Sequence, residues 1–420
     1  MAGRKPCYLR DRTLCPPLAM TESKLPHSVL YAVNARVGGK GFDTVALETL
    51  RGIKPILGRA VCYGLRTREF DRATVKSLQF HPVRLLSNLD SKYYYAAKKR
   101  AVDRVAAQLL AKGRYDLFHG WSGEARHCLG LARAAGIPTV LEIPTWHRQK
   151  GRQLPYKTKE ELADEQAPVP TRWLNRILIS RHESLEEYEL ADLIVVLSEK
   201  AAETFRVLGV PADKLYWNSH GVDADEFTPG VFPDRFRAVF VGALIKRKGV
   251  HHLIEAWKKL ALPEAELWLA GHPHDEIRPY LEGLPSNVRV LGFTPDIPNL
   301  YRQCSVHVFP SECEGSAKSV CEAAASGLPQ ITTRESGDIV VDGVNGLIVP
   351  PNDPEAIVEA LRTLSARPDL IREYGRAARE RALKLFTWNH YRERLLGAYR
   401  AAMERCEVRR VVGQPFRVSA

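Results

Sequence analysis

Two carboxylates eight residues apart mark the C-terminal half of the chain, Glu314 and Glu322, within Ser311-Glu-Cys-Glu-Gly-Ser-Ala-Lys-Ser-Val-Cys-Glu-Ala-Ala-Ala-Ser-Gly-Leu-Pro329. The apolar run Val306–Phe309 precedes them, and helix-forming residues run from about Ser319 to Ala325. Glu314 therefore falls on a loop and Glu322 inside a helix. A carboxylate accepts hydrogen bonds from hydroxyls. Gly315 lets the backbone come close to a ligand, and the amides of Ser316 and Ala317 ahead of a helix can face an oxygen or a phosphate. A phosphorylated polyol suits this chemistry. A plainer use exists as well: a Glu near a helix start gains about 0.3–1 kcal/mol from the macrodipole, and an exposed helical Glu needs no ligand. Upstream, Gly242 is followed by Lys246-Arg247-Lys248-Gly249, three cations able to offset a diphosphate or to form a solvated face.

The N-terminal half offers weaker signals. Gly38-Gly39-Lys40-Gly41 follows the first apolar run, and its backbone amides could approach a phosphate, although a tight turn uses the same residues. His119 and His147 each end an apolar run. A neutral imidazole there can bridge strand and loop as readily as it can do chemistry. Trp121, Trp146 and Trp173 could stack on sugar rings or fill a core. Tyr93-Tyr94-Tyr95 with Lys98-Lys99-Arg100 opens a long helix, either as packing with a solvated face or as an interfacial patch.

These residues must be positioned by alternating strands and helices. Strands are expected at Ser28–Val33, Ala60–Tyr63, Ser77–Phe80, Leu117–His119, Thr139–Glu142 and Leu193–Leu197, with helices at Lys92–Lys112 and Leu174–Glu189 among them. A second series follows at Ala238–Val241, Leu267–Ala270, Arg289–Leu291, Val306–Phe309 and Leu347–Val349. This alternation predicts an α/β protein of two Rossmann-like, doubly wound domains facing across a cleft, since ligands of such sheets bind at the carboxyl ends of the strands. The expected organisation is a basic segment over residues 1–27, one domain over 28–225 and a second over 226–386. A helix over 387–406 then returns to the first domain, and 407–420 form a tail. Asp223–Pro233 reads as the linker.

Composition bounds the partners. With 420 residues, 45% of them hydrophobic, two cores can be filled and disorder is excluded as the main theme. There are 61 Lys and Arg against 49 Asp and Glu, a net charge of +12; residues 1–100 hold 19 and 7 of these, so the whole excess lies in the first quarter. Nucleic acid, an anionic membrane and an anionic substrate all fit such a balance. No nucleic-acid recognition motif accompanies the basic region, so nucleic acid is not expected as a partner. The eight cysteines show no metal-ligand spacing, and no zinc or other metal centre is expected; their scatter fits a reducing compartment. No run of roughly 18 apolar residues is present. The expected location is the cytoplasm, peripheral on the inner face of the plasma membrane.

The Glu314-x7-Glu322 segment, with Glu-Ala-x-Ala-x-Gly-x-Pro closing it, resembles the E-x7-E signature of retaining glycosyltransferases of family 4 with the GT-B fold. Other segments resemble the same family in the same order: Val241-Gly-Ala-Leu-Ile-Lys-Arg-Lys-Gly249, Ser219-His-Gly-Val-Asp223 with Phe227 and Pro229, Asp342-Gly-Val-Asn-Gly346, and Phe386-Thr-Trp388. The resemblance implies transfer of a hexose from a UDP-sugar or GDP-sugar to a glycolipid or polysaccharide hydroxyl, with no cofactor and no metal. It implies catalytic roles for Glu314, Lys248 and His147. It implies donor contacts from Gly39, Gly41, Gly242, Lys246, Arg247, Gly315, Ser316, Ala317 and Glu322, and acceptor-side places for His119, Trp121 and Trp146. Two departures stand out. Ala243 replaces the family's Arg, with Lys246 or Arg247 as substitutes, and Gly315-Ser-Ala-Lys-Ser replaces the usual loop. The rival reading is a non-catalytic sugar-nucleotide-binding scaffold; a nicotinamide oxidoreductase is disfavoured because G-x-G-x-x-G is missing.

Overall fold

The computed structural model describes residues 25–39, 41–88, 91–150, 166–178 and 183–412. Lys40 and the basic segment up to residue 24 lie outside them. The first sheet comprises β1 (Val29–Val37), β2 (Leu57–Leu65), β3 (Val75–Ser77), β4 (Leu117–Trp121), β5 (Thr139–Glu142), β6 (Leu193–Val196) and β7 (Leu215–Trp217). Its spatial order is β3-β2-β1-β4-β5-β6-β7, and every pairing is parallel. The second comprises β8 (Arg237–Val241), β9 (Glu266–Ala270), β10 (Val288–Gly292), β11 (Val306–Phe309), β12 (Gln330–Thr332) and β13 (Gly346–Ile348), in the order β10-β9-β8-β11-β12-β13, again parallel throughout. The central strands β4 and β11 are buried at every position, His119 and His307 included, because helices cover both faces of the sheets.

Strand order reverses between β1 and β4 in one domain and between β8 and β11 in the other. Chains leaving these strands in opposite directions open a crevice at their carboxyl ends. The loops that emerge there include Gly38–Gly39 and Ser122–Ala125 in the first domain, and Gly242–Gly249 and Pro310–Ala317 in the second.

The two domains are sewn together twice. The chain passes forward over residues 218–236 and back at Phe386–Thr387, where Val222 N–H donates to the Phe386 carbonyl at 2.8 Å. The helix Trp388–Val412 then lies on the first domain. Its Tyr391, Leu395, Ala398, Tyr399 and Ala402 are buried in one apolar cluster with Val29, Tyr31, Leu50, Leu117 and Val140. Polar bonds fix its register: Tyr391 and Thr49 share one at 2.7 Å, Arg392 reaches Glu48 at 2.6 Å, and Arg409 reaches Asp192 at 2.6 Å.

The structure corrects three expectations. The third strand lies at Val75–Ser77 and stops short of Phe80, which is 77% exposed in a turn closed by His81 N–H on the Leu78 carbonyl. Leu174–Glu189 is not one helix; the chain forms Val169–Leu178 and Glu183–Leu190. β7 and β12, three residues each, carry too short a pattern to register as strands, and β12 hides behind the buried polar Gln330 and Thr332. The six cysteines among the described residues are all buried and free.

Candidate functional site

The loop after β8 is built on glycine. Gly242 has φ 147° and Gly249 φ 70°, and a Cβ at Gly249 would stand 1.9 Å from the Pro310 carbonyl oxygen. Only glycine lets this loop lie against the end of β11. Contact brings the cations to Glu314: Arg247 Nη1 donates to Glu314 Oε1 at 2.8 Å, and Lys248 Nζ lies 3.9 Å from the same oxygen. Lys246 is not part of this group; its ammonium sits over the Tyr280 ring at 5.3 Å. Arg247 and Lys248 thus supply the charge near the position where Ala243 leaves none.

Lys248 is held between Phe309, whose ring centre is 5.4 Å from Nζ, and the bare Cα of Gly242. Burial lowers its pKa, and the neighbouring Glu314 carboxylate works against that shift. Glu322 is partly buried, with Lys318 Nζ at 3.8 Å. Burial raises its pKa while the Lys318 and Lys248 charges pull it down. The helix Lys318–Ala325 starts just past the loop, so the amides of its first turn point at the same space. The Ala317 N–H is not available as expected; it donates to the Ser336 carbonyl at 2.9 Å. Ser316 is a joint between the domains: its Oγ meets Ser219 Oγ at 2.9 Å, and its carbonyl faces His220 Nδ1 at 3.0 Å.

Gly315 meets the first domain. A Cβ there would stand 2.6 Å from Leu197 Cδ1 and 2.8 Å from the Pro144 carbonyl oxygen. A second clasp forms at Asp338, which stands where the resembling family has a Glu before Asp342-Gly-Val-Asn-Gly346 and whose partners the sequence leaves open. Its Oδ2 accepts from Glu199 N–H and from Trp217 Nε1, each at 2.9 Å. Burial pushes this carboxyl up to about 6.

Across the cleft the histidines take structural places. His119 is fully buried beneath the returning helix, with Nδ1 2.9 Å from Tyr399 Oη and Nε2 3.4 Å from Glu142 Oε2. Trp121 is 7% exposed in the same cluster, so neither residue presents a surface to an acceptor. His147 is 4% exposed between the rings of Tyr188 and Phe205, at 4.7 and 4.8 Å. Burial lowers its pKa to about 4, and its Nδ1 accepts from the Gln149 N–H at 3.1 Å. The ring is neutral with its proton on Nε2, which suits a positioning residue for the Pro144–His147 turn. Trp146 is partly buried against the first domain's core, and Trp173 is 63% exposed.

The glycine loop after β1 forms a tight turn. Gly39 N–H donates to the Arg36 carbonyl at 2.9 Å, and Asp43 already sets a carboxylate at the following helix start, taking the Arg36 N–H at 2.8 Å. Gly41 caps that helix with φ 69°. Asn34 lies inside β1, four residues before Gly38, and its residue type alone points to no role. Both polar atoms of its side chain are buried and lack a hydrogen-bond partner among the described residues. Its backbone N–H donates to Glu124 Oε1 at 2.6 Å.

Glu124 is 6% exposed, and burial pushes its pKa up to about 7 against the pull of Lys99 and the Asn34 amide. A folded-state pKa above the ordinary 4.5 means the native chain holds a proton that the unfolded chain releases. The stability this contributes is complete below the unfolded value and is lost as pH rises through about 7. Glu124→Gln retains the acceptor oxygen and removes the titration. Its Tm is expected to fall less than the wild-type Tm between pH 5 and 8, read by thermal unfolding; parallel Tm profiles would contradict the assignment.

The arrangement can hold an anion at Arg247, Lys248 and a helix N-terminus while two carboxylates accept hydroxyls, which is a site for a phosphorylated sugar. A family model described as glycosyl transferases group 1 matches residues 235–367, and one described as glycosyltransferase family 4 matches residues 59–226. Alpha-maltose-1-phosphate synthase of Mycolicibacterium smegmatis is 29% identical over 320 residues, 67% of this chain and 77% of that protein. D-inositol 3-phosphate glycosyltransferase 1 of Catenulispora acidiphila is 24% identical over 430 aligned positions, 90% of this chain and 95% of that protein. Among solved structures, sucrose-phosphate synthase from Thermosynechococcus elongatus has a TM-score of 0.62 at 18% identity, covering 89% of this chain and 98% of its own. HepE from Anabaena, solved with UDP and glucose, has a TM-score of 0.58 at 18% identity, covering 88% and 98%.

Proposed function

Because the chain belongs to the group 1, family 4 glycosyltransferases and has their GT-B fold, we propose that it moves a hexose from a UDP- or GDP-linked donor to a glycolipid or polysaccharide hydroxyl. Configuration at the transferred carbon is retained and no metal takes part. The observation that carries this reading is the convergence of Arg247, Lys248 and Glu314 where β8 and β11 diverge, with Glu322 on the helix that follows.

In this reading the bond between the sugar carbon and the diphosphate oxygen breaks while the acceptor oxygen bonds to the same face of that carbon. The acceptor's proton passes to the departing phosphate oxygen. Lys248 and Arg247 offset the negative charge that grows on the leaving group, in a site already organised for it. Glu314 accepts donor hydroxyls beside the reacting carbon, and Glu322 accepts those of the ribose. Asn34, inside β1 with both side-chain polar atoms unpaired among the described residues, is the residue of the first domain assigned to a substrate hydroxyl in this reading.

A panel of sugar nucleotides tests the reading. The true donor is expected to raise Tm and to be turned over; at about 100 times its Kd it adds about 2.7 kcal/mol of stability. Protection by a nucleotide sugar without turnover of any donor would favour a binding scaffold instead.

The acceptor side also faces the membrane in this reading. Arg66, Arg68, Arg72, Lys76 and Arg84 are exposed, together with Phe80 at 77% and Leu85 at 83%. Cations beside an anionic leaflet gain about 1 kcal/mol each, and aromatic or aliphatic tips enter the headgroup layer. No helix among the described residues is long and apolar enough to cross a membrane. The chain is expected to sediment with phosphatidylglycerol vesicles and to be released by salt. Equal sedimentation with neutral phosphatidylcholine vesicles would refute peripheral binding through charge.

A further inference from the structure

A second cluster of ligating side chains lies at the head of the helix Val250–Leu260, and sugar transfer does not use it. His251, His252 and Glu312 each bring one ligand atom, and the three atoms lie within 4.8 Å of one another. The backbone creates this meeting. Side chains in a first helical turn lean toward the N-terminus. The close approach of Gly249 to Pro310 carries the β11 loop across that end, where Glu312 N–H donates to the Arg247 carbonyl at 2.9 Å.

Two further observations point to a ligand. His251 is 7% exposed, yet its Nδ1 is buried without a hydrogen-bond partner among the described residues, as is Nδ1 of His252. The other nitrogen of His252 pairs with Asn352 Oδ1 at 3.1 Å. Because that oxygen can only accept, the proton sits on Nε2 and Nδ1 keeps a bare lone pair. Metal-binding histidines are oriented by this kind of outer hydrogen bond. Glu255 Oε2 lies 3.6 Å from the same Nδ1, one helical turn on, within reach of a fourth position. The two imidazoles are also crowded together, centres 3.8 Å apart and planes tilted by 37°.

We propose that His251, His252 and Glu312 bind one divalent transition-metal ion of the zinc class, tying the helix to the β11 loop. Two imidazoles and a carboxylate are the borderline-soft set that prefers zinc to magnesium or calcium. Tetrahedral zinc with bonds near 2.0–2.1 Å sets its ligand atoms about 3.4 Å apart, so the partly exposed Glu312 swings inward on binding. The inference stands independently of sugar transfer.

The test is calorimetric titration of ZnCl2 into untagged full-length protein stripped by chelator, with MgCl2 as control, followed by thermal unfolding. One zinc per chain and a raised Tm are expected, with no response to magnesium. His252→Gln and Glu312→Gln should each weaken zinc binding by at least roughly 10-fold. Glu312 lies on a partly exposed loop, so Glu312→Gln keeps the test valid should His252→Gln unsettle the helix. No zinc uptake, or one zinc bound unchanged in both variants, would overturn the proposal. UDP binding by the stripped protein reports on the transferase reading separately.

Discussion

Glu314→Gln is expected to lower kcat for sugar transfer by about 10²–10³-fold while UDP binds as it does to the wild type. Glutamine keeps the size of the side chain and its ability to accept a hydroxyl, so only the charge is removed. As the sugar carbon parts from its diphosphate it becomes electron-poor, and a carboxylate beside it is worth most at that moment. UDP itself carries no sugar and makes no such demand. Stability should change little. The side chain is 14% exposed, and its ion-pair partners Arg247 and Lys248 are 43% and 20% exposed, so solvent screens part of the interaction. Steady-state kinetics with calorimetry on UDP check this, and a kcat near wild type would remove Glu314 from the reaction.

The second large effect is at Lys248. Lys248→Met should lower kcat by a comparable factor and weaken UDP binding as well, because the ammonium meets the diphosphate both before and after the bond breaks. Lys248→Arg should recover little. Arginine replaces the compact ammonium, which sits over the Phe309 ring at 5.4 Å, with a larger planar fork whose charge falls elsewhere. Full activity of the Arg variant would show that charge alone is needed; an active Met variant with normal UDP affinity would move the phosphate site elsewhere.

Much of the catalytic side was legible because it is local. Glu314, Gly315 and Glu322 stand in one stretch, and Gly242 to Gly249 in another. Strand, loop and helix there follow from apolar runs broken at glycine. What could not be read was which side chains meet across the fold. Lys246 and Arg247 were equal candidates to stand in for the missing Arg, yet backbone direction sends Lys246 to Tyr280 and Arg247, with Lys248, to Glu314. The role of Asp338 could not be read, because its partners Glu199 and Trp217 are more than a hundred residues away. His119 and His147 looked like cleft residues because they end strands, but burial is a tertiary property. The returning helix covers the first, and an aromatic nest encloses the second. Asn34 was missed for the opposite reason: an asparagine in a strand is ordinary until its amide is seen to lack a partner.

The returning helix also sets an order of assembly. The first domain's core borrows Tyr391, Leu395, Ala398, Tyr399 and Ala402 from the far end of the chain. During synthesis its sheet emerges early, but the part of one face that the helix Phe42–Ile53 leaves bare stays uncovered until the entire second domain has been made. The second domain draws its apolar cluster from residues 222–386 and lacks no later segment. The half that leaves the ribosome first is therefore completed last, and the exposed flank of β1, β4 and β5 is the surface a nascent chain must keep from its neighbours until the final helix arrives.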